Sequence, residues 1–65
     1  MTKALENAAY LMRLEGIKYN RQDDKLSFEG SKRFQFSVQK ILTEVYDQKK
    51  LRFVEVKGGM EIFSF

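Results

Sequence analysis

Cysteine and histidine are both missing from this chain. Without thiols there is no disulfide to staple a short fold, and no sulfur- or imidazole-bound zinc. Any metal site would need oxygen ligands, and no acidic loop with the spacing of a calcium-binding hand occurs. The same absences remove the usual nucleophile–base pairs, since an enzyme needs a nucleophile, a base or a metal held together. The serines and threonines have no candidate base beside them. Asp23-Asp24 is the one adjacent carboxylate pair, and it falls in a predicted turn, where aspartate is favoured for local hydrogen bonding. Gly58-Gly59 is not a phosphate loop, because no Lys-Ser/Thr and helix follow it. No catalytic, cofactor-binding or metal-ligating residue is assigned, and no small-molecule substrate is evident. The chain reads as non-enzymatic.

Proline is absent too, and apolar runs are short. None is long enough to span a bilayer. Met1 to Gly16 carries charges throughout and lacks the apolar segment of a signal peptide. The lack of cysteine is compatible with a reducing compartment, so a cytoplasmic protein is the expectation. With 43% hydrophobic residues the composition is not that of a disordered chain. At 65 residues it is one domain. A chain this short buries only about 60% of its unfolded surface. Packing of its six Phe and three Tyr, or oligomerisation, must supply the stability.

What is present is a strong periodic signal. In Ser31 to Lys50, Phe34, Val38, Ile41, Leu42 and Val45 recur at spacings of three and four, which predicts one buried helical face with Tyr46 at its edge. Lys40, Thr43, Glu44 and Asp47 fall opposite. Ser31 suits the N-cap, and Lys49 and Lys50 suit the last turn, where cations oppose the helix dipole. Phe36 points off the stripe. Either it is an exposed aromatic that touches a partner, or Arg33 to Val38 is a strand in which Phe34, Phe36 and Val38 alternate.

Before this segment, residues 2–15 predict a helix with Ala4, Leu5, Ala8, Leu11 and Met12 inward, Thr2 as N-cap and Gly16 at the left-handed C-terminal position. Tyr10 and Leu14 lie on a second side. Residues 17–29 predict a hairpin: IKYNRQ, a turn at Asp23-Asp24, and KLSFE with Leu26 and Phe28 inward. After the 31–50 helix, residues 51–65 predict a second hairpin around Lys57-Gly58-Gly59, where glycine tolerates positive φ. The two halves match in residue class at a shift of 34. Ala8 falls on Leu42, Ile17 on Leu51, Tyr19 on Phe53, and Leu26 and Phe28 on Met60 and Ile62. An internal αββ repeat follows, and with it a two-layer α+β fold: αββαββ, a four-stranded antiparallel sheet with two helices on one face.

Function is read from the surface this leaves. The first hairpin turns Lys18, Asn20, Lys25, Ser27 and Glu29 outward, an ordinary wet face. The second is apolar on both sides: Leu51, Phe53, Met60 and Ile62 inward, Val54, Val56, Phe63 and Phe65 outward. A two-layer monomer covers one side only. Burying a Val- or Phe-sized side chain is worth about 1.5–3 kcal/mol. The expectation is a small protein-interaction or regulatory domain, acting as a homodimer or docking on another protein through Val54, Val56, Phe63 and Phe65, with Phe36. Chains of this type occur among small regulators and phage proteins. The alternative is nucleic-acid binding through Lys18, Arg21, Lys25, Arg52 and Lys57, with Tyr19 stacking on bases. The net charge of +3 comes from 12 Lys and Arg against 9 Asp and Glu. Glu29, Glu55 and Glu61 lie among the basic side chains, unlike a basic stripe free of acids. A hairpin following a helix resembles the wing of a winged-helix domain in outline, but two helices cannot supply its helix-turn-helix.

Overall fold

The computed structural model describes residues 3–65, so Thr2 and its capping role lie outside the described residues. Two helices cover one face of a four-stranded antiparallel sheet. The chain runs α1 (Lys3–Leu14), β1 (Asn20–Arg21), β2 (Lys25–Glu29), α2 (Lys32–Lys40), a π turn (Ile41–Val45), β3 (Leu51–Val56) and β4 (Gly59–Ser64). The strand order is β1-β2-β4-β3. This is the α+β, αββαββ architecture that the periodicities imply.

Each element forms for a local reason. The small apolar face of α1 lets Leu5, Ala8, Ala9 and Met12 bury completely or nearly so. Gly16, at φ 72°, ends the helix, and the Ile17 N–H donates to the Met12 carbonyl at 2.9 Å. At the start of α2, the Ser31 hydroxyl accepts the Phe34 N–H at 3.2 Å. From the strands, Leu26, Phe28, Leu51, Met60 and Ile62 join Val38 and Leu42 of the helical layer in one core. Tyr19 and Phe53 pack at its margin.

The strand register carries the internal repeat. β1 pairs with β2 as Asn20↔Ser27, and β3 with β4 as Val54↔Glu61; adding 34 to each number of the first pair gives the second. Asp23-Asp24 and Lys57-Gly58 are the matching two-residue turns, the first closed by the Gln22 N–H on the Lys25 carbonyl at 2.9 Å. Between β2 and β4 the partners are Leu26↔Ile62, Ser27↔Glu61 and Phe28↔Met60. The shift of 34 carries Ser27 onto its own partner, Glu61. The halves are therefore related by a pseudo-two-fold axis passing between these two residues.

The helix at 31–50 departs from expectation. Arg33 to Val38 is helical and not a strand. Regular α-helix stops at Lys40, and the last turns widen: the Tyr46 N–H donates to the Ile41 carbonyl, five residues back, and the Gln48 N–H to Leu42. Residues in such a turn advance by less than the 100° of an α-helix. Val45 consequently leaves the buried stripe and is 68% exposed, while Tyr46 is half-buried outside the core cluster. Asp47, at φ 57°, then reverses the chain toward β3. At the other end Phe34 sits at the rim, edge-on to Phe28 with centroids 5.9 Å apart, and Gln35 takes the buried position. The first hairpin is also shorter than 17–29: Ile17 is buried, but pairing begins only at Asn20.

Tyr46 ties the two helices together by donating its hydroxyl to Glu15 Oε2 at 2.5 Å. That hydrogen bond, with desolvation and the Glu15 charge, raises the phenol above its ordinary pKa of 10.0. A raised pKa favours the neutral phenol in the folded chain. Its contribution to stability is therefore full below the ordinary value and fades as pH climbs through the raised one. A spectrophotometric titration should show a late-ionising phenol that Tyr46→Phe removes, and Glu15→Gln should lower its pKa. A titration curve unchanged by Glu15→Gln would rule the bond out.

Candidate functional site

Register fixes which side chains share the outer face, away from the helices. Cross-strand partners point the same way. Lys25, Phe63 and Arg52 form one row; Asn20, Ser27, Glu61 and Val54 form the next; Glu29, Gly59 and Val56 form the third. Phe65 continues the face beyond Phe63, its N–H donating to the Lys50 carbonyl at 3.0 Å.

Two regions result. On the β3–β4 side, Phe65, Phe63, Val54 and Val56 run diagonally across the hairpin. Phe65 is 79% exposed and Val56 39%, whereas Val54 and Phe63 are half-buried. Part of that shielding comes from Arg52, whose guanidinium lies 5.9 Å from the Phe63 ring centroid, a cation–π arrangement. Toward β1 the face is polar. Gly59 contributes no side chain, and an open depression of about 820 Å³ lies between Lys18, Tyr19 and Asn20 on one bank and Val56 and Lys57 on the other. Its floor and rim carry Ser27, Glu29 and Glu61.

The five basic residues considered for nucleic-acid binding are not brought onto one surface. Lys18 and Lys57 flank the depression, with Glu29 and Glu61 between them. Lys25 is spent in an ion pair with Glu61, 2.7 Å apart, with about a quarter of each side chain exposed. Arg52 is stacked on Phe63. Arg21 pairs with the inward Leu26 and lies with Glu6 of α1, on the helix side of the sheet. Tyr19 packs against the core and accepts a hydrogen bond from Arg13.

Phe36 is 70% exposed on α2, also on the helix side. It is separate from the outer face, but both flank β3. Beneath it a cleft of about 230 Å³ opens between α2 and β3, lined by Lys32, Gln35, Phe36, Gln39, Phe53, Glu55 and Met60. Gln35 is the one buried polar residue of the described chain. Its Nε2 donates to the Gly30 carbonyl at 2.8 Å, and its Oε1 has no partner. Lys32 and Glu55 pair across the mouth at 2.5 Å. Sequence reasoning missed this cleft because Gln35 reads as an ordinary polar helix residue. The one available signal was the neighbouring off-stripe Phe36.

Among the described residues no group of three or more carboxylates converges as a metal site, and no helix is long and apolar enough to cross a membrane. No protein-family model matches the chain, and neither the curated proteins nor the solved structures contain a significant match to it.

Proposed function

We propose that this chain is a small cytoplasmic protein-interaction domain that self-associates through the outer face of its β3–β4 hairpin. The observation that supports the reading is the composition of that face. An antiparallel sheet with helices on one side ordinarily presents a polar second face. Here the C-terminal half of the second face offers Val54, Val56, Phe63 and Phe65, with no layer above them. Large apolar groups gathered on one exposed surface mark an interaction site. Packing two such faces about a two-fold axis would bury the patch against itself, with the polar depression left at the rim.

The nucleic-acid alternative has less support. Of its five basic residues, two are engaged by Glu61 and Phe63 and one faces the helices.

Light scattering over a concentration series tests the proposal. The wild type should give twice the 7.7 kDa chain mass. Phe63→Glu and Val54→Lys should each give a folded monomer with unchanged far-ultraviolet circular dichroism. A wild type that is monomeric at millimolar concentration sinks self-association by this face.

A further inference from the structure

We infer that the free edge of β3, together with the cleft beside it, receives an extended acidic segment of another protein, which joins the sheet as a fifth strand. It places one large side chain between α2 and β3. This site is distinct from the outer-face patch. It rests on the reading of the chain as an interaction domain, and the test below separates the two.

Three observations converge on this edge. The first is main-chain chemistry. β3 pairs on one side only, with β4. Val56 opposite Gly59 closes the hairpin, and the Lys50 carbonyl accepts the Phe65 N–H. In an antiparallel ladder alternate residues face the partner strand. Leu51, Phe53 and Glu55 therefore turn their N–H and C=O groups to the open side. Natural sheets guard such edges with brevity, bulges, proline or charged side chains. The opposite edge, β1, is two residues long and fits that rule. β3 has six residues, no proline and an unbroken register. Its guards are two charged residues, each drawn to one side: Arg52 lies over the Phe63 ring on the outer face, and Glu55 is held by Lys32 on the helix side.

The second observation is the cleft. Successive side chains of an added strand alternate between faces, so those on the helix side enter the space below Phe36. About 230 Å³ is below the size of drug-sized pockets and suits a single side chain. Phe36 and Phe53 supply apolar walls, and the buried, half-satisfied amide of Gln35 lies at the base. A buried acceptor without a partner is destabilising. A ligand side chain with an N–H or O–H at its tip, such as tyrosine, can relieve that cost.

The third is charge. Residues 1–30 carry five Lys and Arg and five Asp and Glu, whereas residues 31–65 carry seven against four. The whole net charge thus belongs to the half that builds α2 and the β3 edge. With Lys32 and Glu55 paired, Lys50 and Lys57 at the two ends of the strand leave the edge net positive, which favours an acidic partner.

The test uses the full chain, isotopically labelled, and a synthetic capped peptide of sequence Glu-Val-Glu-Tyr-Glu-Val-Glu. Amide exchange should slow at Leu51, Phe53 and Glu55, and the Phe36 ring signals should shift. Phe36→Ala should weaken binding by about tenfold or more. Glu55→Pro, which removes one outward N–H and leaves the β3–β4 bonds intact, should do the same. Phe63→Glu should bind the peptide as the wild type does, even where it abolishes self-association. No protection at millimolar peptide, equal binding of the Lys-for-Glu peptide, or protection confined to the outer face overturns the inference. So does an oligouridine that displaces the peptide from the same amides.

Discussion

Replacing Gly59 with alanine should remove about a third or more of the chain's stability. Gly59 stands opposite Glu29 where β4 meets β2. A Cβ placed there would lie 2.2 Å from the Phe28 carbonyl oxygen and 3.2 Å from the Glu29 Cα. Those atoms are backbone of the neighbouring strand and cannot rotate away. Relief requires β2 and β4 to separate at their common end, where the Gly30 N–H also donates to the Gly58 carbonyl at 3.1 Å. Overpacking usually costs 1–3 kcal/mol and occasionally more. A clash with main chain belongs at the upper end, about 3 kcal/mol or above. A chain of 65 residues has roughly 3–10 kcal/mol of total stability. Gly58→Ala is the control. Gly58 has φ 74° but open space around it, so alanine there costs about 1–2 kcal/mol and the fold survives. Urea unfolding followed by circular dichroism distinguishes the two. A Gly59→Ala chain as stable as Gly58→Ala would contradict the close approach of the strands.

Ile62→Ala should be nearly as damaging. Ile62 is fully buried on a central strand, with Leu26 on one side and Phe53 on the other. Truncating a buried isoleucine to alanine costs 2–5 kcal/mol, the higher values where the site cannot collapse. Hydrogen-bonded strands hold both flanks here, so collapse is limited and a value near the top of that range is expected. The urea midpoint should fall in proportion with the slope unchanged. A loss below about 1 kcal/mol would mean that the centre of the core lies elsewhere.

The architecture was legible because its periods are local. Apolar spacing located both helices, alternation located the strands, and the shift of 34 between the halves reappears as the pairing of Ser27 with Glu61. The end of the second helix was not legible. Whether Val45 stays on the stripe depends on how tightly the backbone winds after Lys40, and its apolar character does not set that winding. Gln35 was invisible for a related reason. Its burial is set by the turn at Gly30, whose carbonyl takes its amide, and by Phe34 settling against Phe28. On the outer face the sequence shows which residues point out but not which are engaged. The stacking of Arg52 on Phe63 and the pairing of Lys25 with Glu61 arise from strands distant in sequence, and they alter both the apolar patch and the basic set.

The pseudo-two-fold axis between Ser27 and Glu61 also constrains how this chain can fold. Each αββ half supplies one inner strand, and the inner strands complete each other. A half alone would hold a single hairpin under one helix, and an isolated hairpin is marginal in water. Its apolar inner face would also lack the Leu26–Ile62 and Phe28–Met60 pairings. Joining β2 to β4 closes a segment that contains all of α2 and β3, and that closure costs entropy before any cross-half contact forms. Local elements therefore gain little by forming early. The two halves should appear in one cooperative step, without a populated species in which one is ordered and the other not.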